Sequence, residues 1–269
     1  MTSSEIGRLA RNALEQEVLL TPKPGLVDRE NSGAHRDMTA ETFLRSAAAL
    51  EPCFARLARE GESLAALPPA ETLPPLRQIG KQAEEAMFRA TGGVNTHKGA
   101  LFSIGLLCAC AGRMQRLGLP LTAEGLCALA AKTVSGISAR ELKGSDTNGL
   151  RVHAATGANG VRGEAESGFQ SVRQYALPWL AKSRDERAQL HALLSLMCHV
   201  EDTNVLHRAG PEGLCWLRGR AEETLKQFSR SALQTLDREC ILRNISPGGC
   251  ADLLAIALFL TQLEHGSIS

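Results

Sequence analysis

The stretch GALFSIGLLCACAG, residues 99–112, is the longest uncharged run in this chain. Two charged residues, Lys98 and Arg113, stand directly on either side of it. The run falls short of the ~18 residues that a membrane-spanning helix needs. An uninterrupted apolar stretch of this kind is typical of a helix that is buried on all sides. We therefore predict a central buried helix here.

Outward from this run, apolar residues recur at three- and four-residue spacing in nearly every long segment, which predicts helices. The first helix is expected behind a capping box formed by Thr2 and Glu5, and another behind the N-cap residue Thr122. Almost no segment alternates as a strand does. We predict an all-α fold, with residues 1–269 in one multi-helix domain. Later helices are expected from Glu164 to Leu180, Glu186 to Val200, Glu212 to Phe228, Ser231 to Leu242 and Cys250 to Leu263.

Composition narrows the range of partners. Lys and Arg total 30 against 29 Asp and Glu, so the net charge of +1 gives no basic field for nucleic acid or anionic lipid. Aromatic residues make up only 4%, which argues against a base-stacking surface. The eight cysteines form no C-x-x-C pair, which indicates buried thiols in a reducing compartment. With no signal peptide evident at the N-terminus, we expect a soluble cytoplasmic protein that binds small molecules, not nucleic acid or membranes.

Five polar segments interrupt the helical pattern: Thr21 to Asp37, Thr91 to Gly99, Gly144 to Gly163, Glu201 to Gly213 and Ser246 to Gly249. The first has 17 residues, and a loop of that length is usually functional or disordered. Its prolines and glycines restrict or turn the backbone, and it carries Lys23, Asp28 and His35, which favours a functional loop. We predict that these loops meet at one end of the helices and form the active site.

The segment from Thr91 to Gly99 leads directly into the predicted central helix. Free backbone N–H groups at a helix N-terminus attract anions, and Lys98 adds a positive charge, so a phosphate site is one interpretation. The alternative, that Asn95 or Thr96 only caps the helix, is equally open.

Carboxylates in three other segments suit a hard cation. Asp202 stands beside Glu201 and Asn204, and oxygen ligands of this kind bind Mg²⁺ together with substrate phosphates. The alternative here is a helix end with solvated charges. We expect Asp202→Asn to weaken cation binding and to leave folding nearly unaffected. Glu164 and Asp252 lie near predicted helix starts, where an acidic residue also has an ordinary structural reason, the helix dipole.

As a set, these segments closely resemble the motifs of the triphosphoribosyl-dephospho-coenzyme A synthases. The resemblance runs in the family's order from about Leu20 to the C-terminus. It is carried by Thr21-Pro22-Lys23-Pro24-Gly25-Leu26-Val27-Asp28, Gly33-Ala34-His35-Arg36-Asp37-Met38, Gly93-Val94-Asn95-Thr96-His97-Lys98-Gly99, Arg162-Gly163-Glu164-Ala165 with Gly168-Phe169, Asp202-Thr203-Asn204, and Ser246-Pro247-Gly248-Gly249-Cys250-Ala251-Asp252-Leu253-Leu254.

The resemblance implies an enzyme that joins ATP and 3′-dephospho-coenzyme A into 2′-(5″-triphosphoribosyl)-3′-dephospho-coenzyme A, with release of adenine. That product is the precursor of the prosthetic group on the acyl carrier protein of citrate lyase or, in a sister branch, of malonate decarboxylase. Mg²⁺ is the expected cofactor, and contact with the holo-acyl-carrier-protein transferase is a further expectation.

On this basis we assign roles to the polar residues. Asp28, His35 and Glu164 are the catalytic candidates, and Asp202, Glu164 and Asp252 are the metal candidates. The expected substrate-binding residues are Lys23, Asn95, Thr96, His97, Lys98, Arg162, Asn204 and Arg208.

Two other classes of protein fit parts of the pattern. A helical Mg²⁺-dependent nucleotide pyrophosphohydrolase would carry E-x-x-E repeats on its helices, whereas the acids here stand mainly in the predicted loops. A non-catalytic helical interaction module would lack converging charged loops. Product analysis with ATP separates the three classes.

Overall fold

The computed structural model describes residues 1–141, 158 and 160–266. Within these residues the regular structure is helical and contains no strand, so the all-α prediction is confirmed. The assignment of residues 1–269 to one domain stays a prediction. The helices are α1 Ser3–Leu19, α2 Ala40–Ser63, α3 Leu73–Thr91, α4 Lys98–Arg116, α5 Ala123–Thr133, α6 Ile137–Glu141, α7 Gly160–Glu166, α8 Leu177–Leu180, α9 Glu186–His199, α10 Thr203–Lys226, α11 Arg230–Leu242 and α12 Gly248–Gly266, with a short 3₁₀ helix Pro69–Glu71 and a π-helical segment Val172–Ala176.

Two helices form the centre of the core. Helix α4 contains the uncharged run, and nearly all of its residues from Ala100 to Gly112 are buried. Helix α12 is buried from Leu253 to Leu260 and packs against α1, α4, α5, α9 and α10. Both helices are apolar around their whole circumference because other helices cover them on every side. The predicted central helix is therefore confirmed, and α12 is a second one.

Helices α2 and α4 pack with their backbones in close contact. A Cβ atom placed on Gly112 would lie 1.9 Å from the carbonyl oxygen of Ala58, and one placed on Gly61 would lie 1.9 Å from that of Ala109. Only hydrogen fits at either position. The two glycines therefore set the spacing of the two helices, although glycine lowers intrinsic helix stability.

The predicted helix from Glu164 to Leu180 is wrong as one continuous element. Helix α7 ends at Glu166, and Gly168 has a left-handed φ of 67° that an α-helix cannot continue through. The chain then resumes as the π-helical segment and α8, which has Pro178 in its first turn.

The segment from Glu201 to Gly213 is also not a loop. Helix α10 already begins at Thr203, and Gly210 (φ 67°, ψ −173°), followed by Pro211, interrupts it in the middle. Of the residues that suggested a loop, Glu201 and Asp202 therefore precede the helix, and His207 and Arg208 lie on its first turns. Most of the predicted loop from Gly144 to Gly163 lies outside the described residues.

The capping predictions at Thr2 and Thr122 are confirmed. All eight cysteines lie in the described part of the chain and all are free, and five of them are buried: Cys108, Cys110, Cys127, Cys240 and Cys250. Among the described residues, no helix is both long and apolar enough to cross a membrane.

We expect Gly112→Ala to lower the free energy of unfolding by about 1–3 kcal/mol, because the added methyl group overpacks the contact with Ala58. Gly80→Ala is the matched control. Gly80 lies inside α3 with no neighbouring atom within 4 Å of an added Cβ, so alanine should stabilise by up to ~1 kcal/mol. Urea unfolding of the two variants measures both changes. Equal stabilisation by both substitutions would show that the α2–α4 spacing does not depend on Gly112.

Candidate active site

The long loop between α1 and α2 begins with a buried ion pair. Lys23, only 1% exposed, places its Nζ atom 2.5 Å from Oε1 of Glu17 on α1. Burial raises the pKa of Glu17, and the Lys23 ammonium opposes that rise. Sequence reasoning identified Lys23 and missed Glu17. A signal for Glu17 did exist, because it stands on the buried stripe of α1, three and four residues after Leu14 and Ala13.

Asp28 organises the same loop. Its Oδ2 atom accepts a hydrogen bond from the backbone N–H of Lys23 at 2.9 Å, and its Oδ1 atom accepts from those of Glu30 and Asn31 at 2.7 and 3.0 Å. The side chain is only 4% exposed. Both carboxylate oxygens therefore stabilise the fold of the loop, and this position offers little support for Asp28 as a general base.

Helix α11 holds the loop from the other side. Asp237 accepts hydrogen bonds from the backbone N–H of Gly25 and from the Asn31 side chain, both at 2.9 Å. Gly25 has a φ of 72°, and a Cβ atom there would lie 2.4 Å from the carbonyl oxygen of Ile245. The loop is thus fixed in position by contacts with residues more than 200 positions away in sequence, which sequence reasoning could not provide.

His35 lies at the end of this loop. Its Nε2 atom shares a 2.8 Å hydrogen bond with Oγ of Ser246, and its Nδ1 atom lies 3.8 Å from the carboxylate of Asp37. Burial lowers the pKa of His35, the Arg208 guanidinium lowers it further, and Asp37 opposes both. The imidazole is therefore mainly neutral at neutral pH and can accept a proton.

Arg208 connects α10 to the same corner. Its guanidinium donates to the carbonyl oxygens of Ala34 and Asn244 and to the side-chain oxygen of Asn244. These contacts hold the loop near Ser246. Arg208 is thus placed beside His35, but its donors already serve the protein backbone.

The N-terminus of α4 is capped from within the chain. Oδ1 of Asn95 accepts from the backbone N–H of Lys98 at 3.2 Å, although the N-cap residue itself is His97. The Lys98 side chain, 49% exposed, pairs with Glu84 on α3. Lys98 is therefore at the helix start, as expected, but its ammonium turns toward α3.

Thr96 and His97 connect the start of α4 to α2. Oγ1 of Thr96 donates to Oγ of Ser46 at 2.8 Å, and that same oxygen lies 2.8 Å from Nδ1 of His97. His97 is 3% exposed, and its ring forms a T-shaped contact with the ring of Phe43. Burial lowers the pKa of His97 to about 3, with a further contribution from the Lys23 ammonium. The imidazole is therefore neutral throughout the physiological range.

Asp202 joins two helix N-termini. It is the N-cap of α10, where its Oδ1 atom accepts from the backbone N–H groups of Asn204 and Val205 at 2.9 and 3.3 Å. Its Oδ2 atom accepts from the backbone N–H of Cys250, in the first turn of α12, at 2.9 Å. The side chain is 1% exposed, and its burial raises the pKa of Asp202 although these three donors oppose the rise. The exposed Asn204 side chain lies against Gly248.

Asp252 brings α12 to the start of α4. Its Oδ2 atom lies against Gly99, where a Cβ atom would come within 2.1 Å of it, and its carboxylate accepts from the backbone N–H of Ala100. The residue as a whole is partly exposed. Burial of the carboxyl group raises the pKa of Asp252 well above its usual value, and the charges of Glu17 and Asp202 raise it further.

Helix α7 contributes the remaining predicted residues. Oε1 of Glu164 accepts from Oγ of Ser171 at 2.5 Å, and burial raises the pKa of this carboxyl group. Its charge also acts on Cys250 at the start of α12. Arg162 lies partly buried in the same helix, and Gly160 packs against Thr203 at the start of α10. Glu166 accepts from the backbone N–H of Gly136, so the two glutamates of this helix have different partners.

The three metal candidates differ in how much of each carboxylate is free. In the described part of the chain, no three His, Cys, Asp or Glu side chains are arranged to hold a metal ion together. Mg²⁺ commonly needs only one or two carboxylates besides substrate phosphates. The oxygens of Asp202 and Glu164 have several protein donors, whereas Asp252 accepts one backbone N–H beside two other carboxylates. A cation would reduce this repulsion, so Asp252 fits the role best.

Most predicted residues are thus brought together by contacts around the N-termini of α4, α10 and α12. The Lys98 side chain is the clearest exception. Three residues that sequence reasoning did not place in the site complete it: Glu17, Ser46 and Asp237. Ser246 belongs to a predicted loop but has no role assigned to it from the sequence.

The fold and the site define an all-α protein with buried charged groups where several helix N-termini meet. Over residues 3–269 the chain matches the family described as ATP:dephospho-CoA triphosphoribosyl transferase, and it belongs to that family. It is therefore an enzyme, a transferase.

Two relatives extend along almost the whole chain. Both are named as probable 2-(5″-triphosphoribosyl)-3′-dephosphocoenzyme-A synthases. The protein from Citrobacter koseri is 46% identical over 96% of this chain and 90% of its own length. The protein from Albidiferax ferrireducens is 46% identical over 97% of this chain and 91% of its own length. No solved structure matches the chain.

We predict that Asp202→Asn lowers the free energy of unfolding by about 1–3 kcal/mol, because an amide nitrogen facing Cys250 leaves a buried backbone donor without an acceptor. This corrects the expectation that folding would be nearly unaffected. Glu201→Gln changes the adjacent, exposed carboxylate and should remain within ~0.5 kcal/mol of wild type in urea unfolding. Equal stability of the two variants would contradict a structural role for Asp202.

Proposed function

We propose that the enzyme transfers the 5-triphosphoribosyl group of ATP to the ribose 2′-hydroxyl of 3′-dephospho-coenzyme A and releases adenine. Family membership supports the reaction class. The observation that supports this site is that three helix N-termini meet near Lys23 and Asp252. Polyphosphates are bound in proteins by helix N-termini, by ammonium groups and by cations that carboxylates hold.

The triphosphate is proposed to bind near the start of α4. The Lys23 ammonium acts on His97 there, and Asn95, Thr96 and His97 precede the helix directly. Asp252 would hold Mg²⁺ there, supported by its raised pKa and its partial exposure. When bound, Mg²⁺ neutralises phosphate charge. Asp202 and Glu164 would orient the helices around this point, with metal binding as a secondary role.

The bond that breaks is the one between ribose C1′ and adenine, and the bond that forms joins C1′ to the acceptor oxygen. The acceptor hydroxyl loses a proton, and the departing adenine gains one. We expect one direct displacement through an oxocarbenium-like state. Among the proposed bases, His35 fits best, because it is neutral and partly exposed, whereas burial and several donors engage Asp28.

The remaining assignments are extensions of this proposal. Lys98, Arg162, Asn204 and Arg208 would bind substrate phosphates or ribose. The product would serve citrate lyase, with malonate decarboxylase as the alternative, and contact with the holo-acyl-carrier-protein transferase would deliver it. We place the enzyme in the cytoplasm, which its eight free cysteines support.

With ATP, 3′-dephospho-coenzyme A and Mg²⁺, we predict that the purified protein releases adenine and forms one triphosphoribosylated product in equal amounts. Chromatography with mass spectrometry measures both. Omitting 3′-dephospho-coenzyme A should abolish adenine release. Release of pyrophosphate without adenine would indicate the hydrolase instead. Release of neither product from ATP would contradict both proposed enzyme activities.

The second test concerns Asp252. We predict that Asp252→Asn lowers the rate of adenine release by at least ~100-fold, or ~2.7 kcal/mol, with partial recovery at high Mg²⁺. Folding should be retained or strengthened, since the raised pKa shows that the charged carboxylate is disfavoured there. Glu212→Gln, an exposed carboxylate on α10, should follow wild type. Superimposable Mg²⁺ curves for Asp252→Asn and wild type would remove Asp252 from the metal site.

A further inference from the structure

A short chain of hydrogen bonds bears on which ring nitrogen of His97 carries the proton. Thr96 donates to Oγ of Ser46, so the Ser46 hydroxyl must direct its own proton elsewhere. Within residues 1–141, 158 and 160–266, the acceptor that it reaches is Nδ1 of His97, at 2.8 Å. Ser46 is fully buried on α2. A neutral imidazole carries one proton, and if Nδ1 accepts, that proton is on Nε2.

The Nε2 atom is buried and has no hydrogen-bond partner among the described residues. Buried donors without acceptors are uncommon in native proteins, and each one needs a physical explanation. His97 is the N-cap residue of α4, and the Lys23 ammonium lies close enough to lower the pKa of its imidazole. Lys23 gives one of its three N–H groups to Glu17. Among the described residues, Lys23 therefore keeps two N–H groups and His97 keeps its Nε2 atom without an acceptor.

We propose that Ser46 is a positioning residue that holds His97 as the Nε2–H tautomer, so that His97 and Lys23 together donate to a phosphate oxyanion of the bound nucleotide. This inference rests on the proposed function and deepens it. It assigns His97 the part of a neutral donor and Ser46 a role in substrate binding.

The charge state of His97 agrees with this role. With its pKa lowered to about 3, the imidazole holds a single proton at neutral pH, and Nδ1 is already used by Ser46. It is poorly suited to accept a proton from the acceptor hydroxyl. A neutral donor beside one ammonium group also avoids placing two positive charges together in a buried position.

The experiment uses the full chain and inorganic tripolyphosphate as the probe. Long-range ¹H–¹⁵N spectra report the tautomer of each histidine, and His97→Gln identifies which of the seven histidine signals belongs to His97. We expect the Nε2–H tautomer in wild type and a shift of its Nε2 resonance when tripolyphosphate is added. In Ser46→Ala we expect mixed tautomers and about tenfold weaker tripolyphosphate binding by calorimetry, or ~1.4 kcal/mol.

Ser103→Ala is the matched control, because Ser103 is equally buried on a helix and its hydroxyl has no partner among the described residues. It should bind tripolyphosphate as wild type does. An Nδ1–H tautomer in wild type, or unchanged tripolyphosphate affinity in a folded Ser46→Ala variant, would overturn the proposal. Weakened binding by Ser103→Ala to the same extent would also overturn it, since the effect would then be one of packing.

Failure of the proposed function is separately visible. A wild-type enzyme that binds tripolyphosphate through the expected tautomer but releases no adenine would refute the transfer reaction and leave the oxyanion site supported. Normal adenine release by the wild-type enzyme, with unchanged tripolyphosphate binding in Ser46→Ala, would support the transfer reaction and refute the role proposed for Ser46.

Discussion

Asp202 accepts hydrogen bonds from the first turns of two helices at once, and the arrangement of the site depends on this contact. Helix N-termini carry partial positive charge, so several of them meet only where negative groups lie between them. Asp202 serves α10 and α12, and Asp252 joins α12 to the first turn of α4. These backbone donors are already used by the protein. A phosphate at the α4 N-terminus therefore needs donors other than the backbone N–H groups of Lys98 and Ala100, which Asn95 and Asp252 accept.

The charge balance follows from the same constraint. Glu17, Asp28, Asp202 and Asp252 are carboxylates near one another, and Lys23 is the ammonium group paired among them. A buried ion pair is weak evidence for stability, because removing charges from water costs about as much as their attraction returns. An excess of acidic groups, with the pKa of Asp252 raised, agrees with the proposed binding of a cation that arrives with a polyphosphate.

Much of the fold follows from the sequence, because periodicity and capping are local. The first helix, the buried α4 and the helix after Thr122 are all predicted from neighbouring residues. The break at Gly168 and the start of α10 at its N-cap Asp202 are not predicted, although both residues are local signals, because Gly168 is placed inside a predicted helix and Asp202 is interpreted as a metal ligand. The side chain that marks the start of α10, Asp202, also has the chemistry of a metal ligand, and its true partner at Cys250 is 48 residues away.

In the site, too, the sequence motifs identify some residues but not the partners that those residues contact. Lys23 and His97 are identified because they belong to conspicuous polar segments. Their partners Glu17 and Ser46 stand inside ordinary helices and carry no motif. A polar residue on a buried stripe, as at Glu17, is the available signal, since burial of such a group requires a partner. The stripe cannot indicate which partner that is.

The proposed reaction must break a bond at the ribose while keeping the triphosphate intact, and this requires two chemically distinct regions at a suitable separation. His35, the proposed base, contacts Ser246, whereas Asp252, the proposed metal ligand, lies against the start of α4. Ser246 lies two residues before α12, and Asp252 lies just beyond the first turn of that helix. The start of α12 therefore connects the residue that contacts the proposed base to the proposed metal ligand, so that one segment of the chain holds both proposed groups.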